Sequence, residues 1–163
     1  MTKMDIKSKL ERLIPPDDFQ HRWEFSNHHL VDELDDDEKK EIEDMLIEKL
    51  HIDTGDLLII DTLSYLNSEK ATPAMRNSLE ICDNKLQKII IAASIYKITH
   101  DNATVDIAID AFKQLHGKWD LVSVFSYLKV FEDSRINDMI KAYIDNPDFL
   151  ISHNAKRALG MVD

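Results

Sequence analysis

The chain has 163 residues, 44% of them hydrophobic, with only 3 Gly and 4 Pro, a composition that fits one helical domain and leaves little for a turn-rich β architecture. Lys and Arg number 20 against 31 Asp and Glu, 20 − 31 = −11, a field that repels phosphate backbones and anionic membranes. The single cysteine, Cys82, has no partner for an internal disulfide or a Cys-x-x-Cys site, which fits a reducing compartment, and its place in the run Leu79, Ile81, Cys82 predicts a small buried apolar side chain.

Residues 1–34 do not follow the periodicity of the rest and read as an N-terminal helical cap. Met4, Ile6, Leu10, Leu13 and Ile14 predict a short amphipathic helix that Pro15 and Pro16 end. The first ten residues hold no uninterrupted apolar stretch, and no later run approaches the roughly 18 apolar residues of a spanning helix. A cytoplasmic protein without membrane contact is expected. Asp17 to Phe25 predicts a second short helix or turn, whose Phe19, Trp23 and Phe25 either seal the first repeat or dock a partner.

Of the seven histidines, His28 and His29 with Asp32 and Glu33 form the densest group. Adjacent helical side chains diverge by about 100°, so His28 and His29 cannot easily share an ion, whereas His28 and Asp32, four apart, can. No metal site is assigned. His51, His100, His116 and His153 fall near predicted helix ends, where hydrogen bonding and dipole compensation are the ordinary uses. An acidic run follows, relieved only by Lys39 and Lys40. Carboxylates at a helix start complement its dipole. The same residues, Asp35, Asp36, Asp37, Glu38 and Glu41, make a landing patch for a basic protein surface that would act chiefly on association rate.

From residue 35 onward one period dominates. Tyr65, Tyr96 and Tyr127 are spaced by 31, and Ala158 is next in line. The same step aligns Ile59, Ile90, Leu121 and Ser152, then Thr62, Ala93, Val124 and Ala155, then Leu66, Lys97, Leu128 and Leu159. An earlier helix in each unit aligns Glu43, Ala74, Val105 and Ile136, then Ile47, Ser78, Ile109 and Ile140, then Leu50, Ile81, Phe112 and Tyr143. These columns sit at i, i+4 and i+7, one face of a helix. Four helix pairs follow: 36–51 with 54–67, 73–82 with 84–99, 103–115 with 119–131, and 135–144 with 148–161. Thr72 before Pro73, Asn102, Ser134 and Pro147-Asp148 mark predicted starts, and Gly117 interrupts the third pair. The fold class expected is all-α, a right-handed α-α superhelix or solenoid of about four helix-pair repeats over 35–163, within a single domain.

The last unit carries a resemblance. After Asp145 and Pro147 comes a helix ending in Ala155, Ala158, Leu159, Gly160 and Val162, which resembles the second helix of HEAT-like repeats of the phycobilisome-lyase type. The three earlier units place Tyr where Ala158 stands, so the match is strongest in the last. HEAT and armadillo units are longer, roughly 40–47 residues, and tetratricopeptide units of about 34 carry a Trp, Leu-Gly and Tyr pattern that is missing. The resemblance implies a recognition scaffold, although some related arrays are enzymes or handle chromophores.

Gly-rich phosphate loops, Gly-x-Ser-x-Gly and His-Glu-x-x-His are all missing, and no catalytic residue or cofactor is assigned. In stacked helix pairs the second helices line the inner surface, and the register runs a stripe through Asp61, Ser64, Lys88, Ala92, Trp119, Ser123, Asn154 and Arg157. Trp119 and Arg157 are the preferred partner-binding anchors. The leading expectation is a non-catalytic protein-protein interaction module, monomeric or weakly dimeric, in one version an immunity or inhibitor protein for a basic partner. An enzyme or nucleic-acid-processing array, which would need an inner stripe of Lys and Arg, and a purely structural scaffold subunit stay open.

Overall fold

A computed structural model of the protein describes residues 4–16 and 26–163, so the helix or turn expected around Phe19, Trp23 and Phe25 lies outside the described residues. The protein is all-helical: the described residues form ten α-helices and no strand. Their contacts group them into two compact units divided after Ser78.

In the first unit, α1 (Ile6–Leu13) starts on Asp5, whose carboxylate accepts the Ser8 amide at 3.0 Å, and ends before Pro15 and Pro16. It buries Leu10 and Leu13, while Met4 stays exposed. The short helix α2 (His28–Asp32) precedes α3 (Asp36–Ile52). The latter opens with a capping box: Asp35 accepts the Glu38 amide at 2.9 Å and Glu38 accepts the Asp35 amide at 3.1 Å. Ile42, Leu46 and Leu50, one stripe at four-residue spacing, face α4 (Leu57–Tyr65), which buries Ile59, Ile60 and Leu63. One fully buried amide ties three segments together. Asn27 Nδ2 donates to the Leu13 carbonyl at 2.9 Å and to Thr62 Oγ1 at 2.8 Å, and that hydroxyl donates to Leu58 O at 2.7 Å.

The division between units falls inside α5 (Thr72–Ile81). In the second unit α6 (Lys85–Thr99) packs on both α7 (Asn102–Phe112) and α8 (Lys118–Leu128). Small side chains at Ala92, Ala93, Ala108 and Ala111 are buried there, which suits close helix approach. A 3-10 turn at Lys129–Phe131 leads to α9 (Ser134–Lys141), and α10 (Phe149–Ala158) lies against α8. Phe112, Phe125 and Tyr143 meet with ring centroids 5.5–6.1 Å apart and form the aromatic centre of this unit.

The 31-residue columns map unevenly onto burial. Thr62, Ala93, Val124 and Ala155 are all buried, as are Ala74, Val105 and Ile136 in another column. Ile81 departs from its column. It is the last residue of α5 and stays exposed, whereas Leu50 and Phe112 are buried. Cys82, past that helix end, is only half-buried, with Sγ 3.5 Å from the Asn84 carbonyl, which corrects the expected buried thiol. Three predicted caps also move. Asp101 and Asp133 cap α7 and α9 one residue before Asn102 and Ser134, because a carboxylate there reaches the first free amides. Thr72 is already helical. Ser68 caps the 3-10 turn Glu69–Ala71 that leads into α5, and the Thr72 hydroxyl donates to Glu69 O at 2.8 Å.

Val124 is 0% exposed, so Val124→Asp is expected to cost about 3 kcal/mol or more as an unpaired buried charge. The urea midpoint reads this directly, and an unchanged midpoint would contradict the packing. Thr62→Val removes an acceptor from Asn27 and is expected to cost about 1–3 kcal/mol. Thr99→Val, whose hydroxyl donates to Ile95 O in its own helix and accepts the Asp101 amide at the exposed end of that helix, where water can replace it, should cost less in the same melt.

Candidate functional site

Charge is distributed very unevenly. Up to Ser78 ten Lys and Arg meet 19 Asp and Glu, 10 − 19 = −9; from Leu79 onward ten meet 12, 10 − 12 = −2. The acidic residues of α3 divide by role. Asp35 and Glu38 are engaged in the capping box, and Glu38 also takes Lys9 at 2.5 Å. Glu43 accepts the Ser68 hydroxyl, and Asp44 pairs with Lys70 at 2.5 Å. Asp36, Asp37, Glu41 and Glu48 remain exposed, and no ion pair holds them among the described residues. Beside α3, Leu10, Ile14 and Met45 line a groove of about 340 Å³ rimmed by Lys7, Glu11 and Lys49.

Next to this acidic helix lies a polar cluster that the sequence did not foretell. His28 Nε2 lies 2.8 Å from Asp61 Oδ2, and its ring stacks on Tyr65 with centroids 3.9 Å apart and planes 4° from parallel. Tyr65 donates to both Asp32 oxygens at 2.9 and 3.0 Å, and that bond to a carboxylate raises the phenol above its usual range near 10. His28 and Asp32, considered as a chelating pair, thus turn to α4 instead. Among the described residues no group of three or more His, Cys, Asp or Glu is placed to hold a metal ion.

The expected binding stripe does not persist as one exposed surface. Asp61 is taken by His28, and Ser64 is only 7% exposed because it follows Ile60 by one turn on the buried face of α4. Ala92 is fully buried in α6, one turn after Ile89, and Lys88 is half-buried. Four stripe residues of the second unit do reach solvent. Trp119 is 67% exposed, Ser123 and Arg157 are exposed, and half-buried Asn154 donates to the Leu150 carbonyl at 2.8 Å.

Around Trp119 the structure adds residues that periodicity missed. Phe149 is 74% exposed and stacks on His153 at 5.5 Å, and Leu150 is exposed beside it. Lys118 Nζ sits 2.7 Å from Asp148 Oδ2 and 5.1 Å from the Trp119 ring centroid. Asp148 also caps α10. This pair therefore joins the starts of α8 and α10 and brings the two exposed aromatics to one end of the helix pair. The only signal in the sequence was the run Asp148, Phe149, Leu150 at a helix start, where the helical face a residue takes depends on where the cap falls. No family model, curated protein or solved structure matches this chain.

The Lys118 ammonium, assisted by the Ile151 and Leu150 amides, holds the Asp148 carboxyl below its ordinary 3.8. A depressed carboxyl pKa stabilises the fold above the ordinary value, and the contribution is lost as pH falls through the folded value. Lys118→Met is therefore expected to move the Asp148 titration midpoint, followed by carboxyl NMR shifts, upward toward 3.8. An unmoved midpoint would show that the amides alone set it.

Proposed function

We propose that this chain is a non-catalytic protein-binding module whose first unit takes up a basic protein surface, as an immunity or inhibitor protein would. The observation that carries the reading is the concentration of net charge in that unit, with the carboxylates of Asp36, Asp37, Glu41 and Glu48 exposed on one helix. Carboxylates held by caps or lysines are spent on the fold. Exposed ones that no ion pair holds act at a distance, and a cluster of them raises encounter rates with cations while repelling polyanions.

The helix-pair repeat and its HEAT-like character belong to the same reading. Its support is the burial of Thr62, Ala93, Val124 and Ala155 at one position of four successive second helices, and that of Ala74, Val105 and Ile136 at one position of three first helices. Stacking of such pairs produces the right-handed superhelix the sequence leads one to expect.

A triple reversal, Asp37→Lys, Glu41→Lys and Glu48→Lys, lies on exposed positions and is expected to cost no more than about 1 kcal/mol of stability, chiefly from Asp37 in the first turn of α3, and to leave the chain folded in a thermal melt. Immobilised wild-type chain should retain a basic protein from extract of its native cell, and the reversed chain should not. The association rate of that protein should fall about tenfold or more between low and high salt. Equal retention by both chains, or a salt-insensitive rate, would remove the acidic surface from the function.

A further inference from the structure

Three helices of the second unit are neighbours in a row, since α6 packs on α8 and α8 on α10. That unit holds 12 Asp and Glu, yet these helices together contain one, the half-buried Asp120. The acids stand elsewhere. Asp106 and Asp110 are exposed on α7, Asp138 on α9, and most of the others cap helices or lie in connections. What the row exposes is aromatic or aliphatic at Trp119, Tyr127, Phe149 and Leu150, cationic at Lys97 and Arg157, and otherwise small and polar, apart from Lys118. Lys118 is neutralised by Asp148, so the exposed positive charge that remains is that of Lys97 and Arg157, with Lys85, Lys88 and Lys156 half-buried on the same helices.

We propose that the α6–α8–α10 row docks an acidic segment of another protein that carries hydrophobic side chains, with Trp119 and Phe149 as apolar anchors and Arg157 and Lys97 as charge partners. Two large aromatics left mostly in water at the start of adjacent helices supply the rigid contact area typical of binding hot spots. A row of helices with a single carboxylate among them, in so acidic a chain, complements negative charge. The occupant is a short segment rather than a nucleic acid, because a polyphosphate strand would extend into the field of a chain carrying −11, while a few carboxylates are screened within about 8 Å at physiological salt. This inference stands apart from the acidic surface of the first unit.

The test is a selection of random phage-displayed peptides on the intact chain, followed by affinity measurement of the enriched sequences. Enriched peptides should combine Asp or Glu with Leu, Phe or Trp. They should lose about tenfold or more in affinity for Trp119→Ala, for Phe149→Ala and for Arg157→Glu. All three substitutions are at exposed positions, and unchanged far-UV circular dichroism melts confirm folding. The triple reversal on α3 should leave this binding intact, which separates it from the reading above. The proposal is overturned if nothing enriches, if basic or uncharged peptides dominate, or if the variants bind equally. It is overturned as well if labelled oligothymidylate rather than peptide binds through Trp119 and Phe149, or if sedimentation shows self-association that Trp119→Ala abolishes.

Discussion

Short helices cannot stand alone in water, and that constraint governs this molecule. Seven of the ten described helices have only 8–11 residues, below the roughly 12–15 at which even a favourable isolated helix becomes marginal. Each must therefore bury a stripe against a neighbour. The stripes Ile59, Ile60, Leu63 in α4 and Leu121, Val124, Phe125, Leu128 in α8 answer that requirement, and the fully buried Asn27 joins the α1 and α4 segments through its amide nitrogen. A conflict at any of these positions would propagate, since no helix has stability to spare.

The same shortness explains where much of the acidity goes. A short helix has as many unsatisfied terminal amides as a long one, so its ends weigh more in its stability. Asp5, Asp35, Asp56, Asp101, Asp133 and Asp148 each accept amides at a helix start. These carboxylates are structural. Subtracting them and the paired Asp44 leaves a contrast in charge, a negative surface on α3 and a row of second-unit helices with almost no carboxylate at all. Charge in this chain is thus sorted by helix.

The two surfaces are also positioned by different contacts. On the first unit, the His28 ring, with Nε2 against Asp61 and its face stacked on Tyr65, pins α2 against α4 beside the acidic helix. On the second, Lys118 bridges to Asp148 and holds the starts of α8 and α10 together, which sets Trp119 and Phe149 on a common end. Both devices are exposed ion pairs or stacks, worth little individually to stability. Their consequence is positional, because each fixes side chains that face solvent.

From residues alone one could read the helical class, the approximate span of most helices and one fully interior column, Thr62, Ala93, Val124 and Ala155, because a 3.6-residue period of apolar side chains is a local property that packing had to respect. The carboxylates at the start of α3 and Pro15-Pro16 as a stop were equally legible, since helix-end charges and prolines act within a turn. Which member of Asp101-Asn102 or Asp133-Ser134 takes the cap was settled only by the helix's actual start, and that shift decides which face each following residue presents. Ser64 and Ala92 were assigned to a surface by register, and packing buried them because their neighbours one turn back, Ile60 and Ile89, lie on the core face. His28 finding Asp61, and Lys118 finding Asp148, join residues 33 and 30 positions apart. Such contacts depend on the distance between helices in space, a quantity that no local pattern of residues encodes.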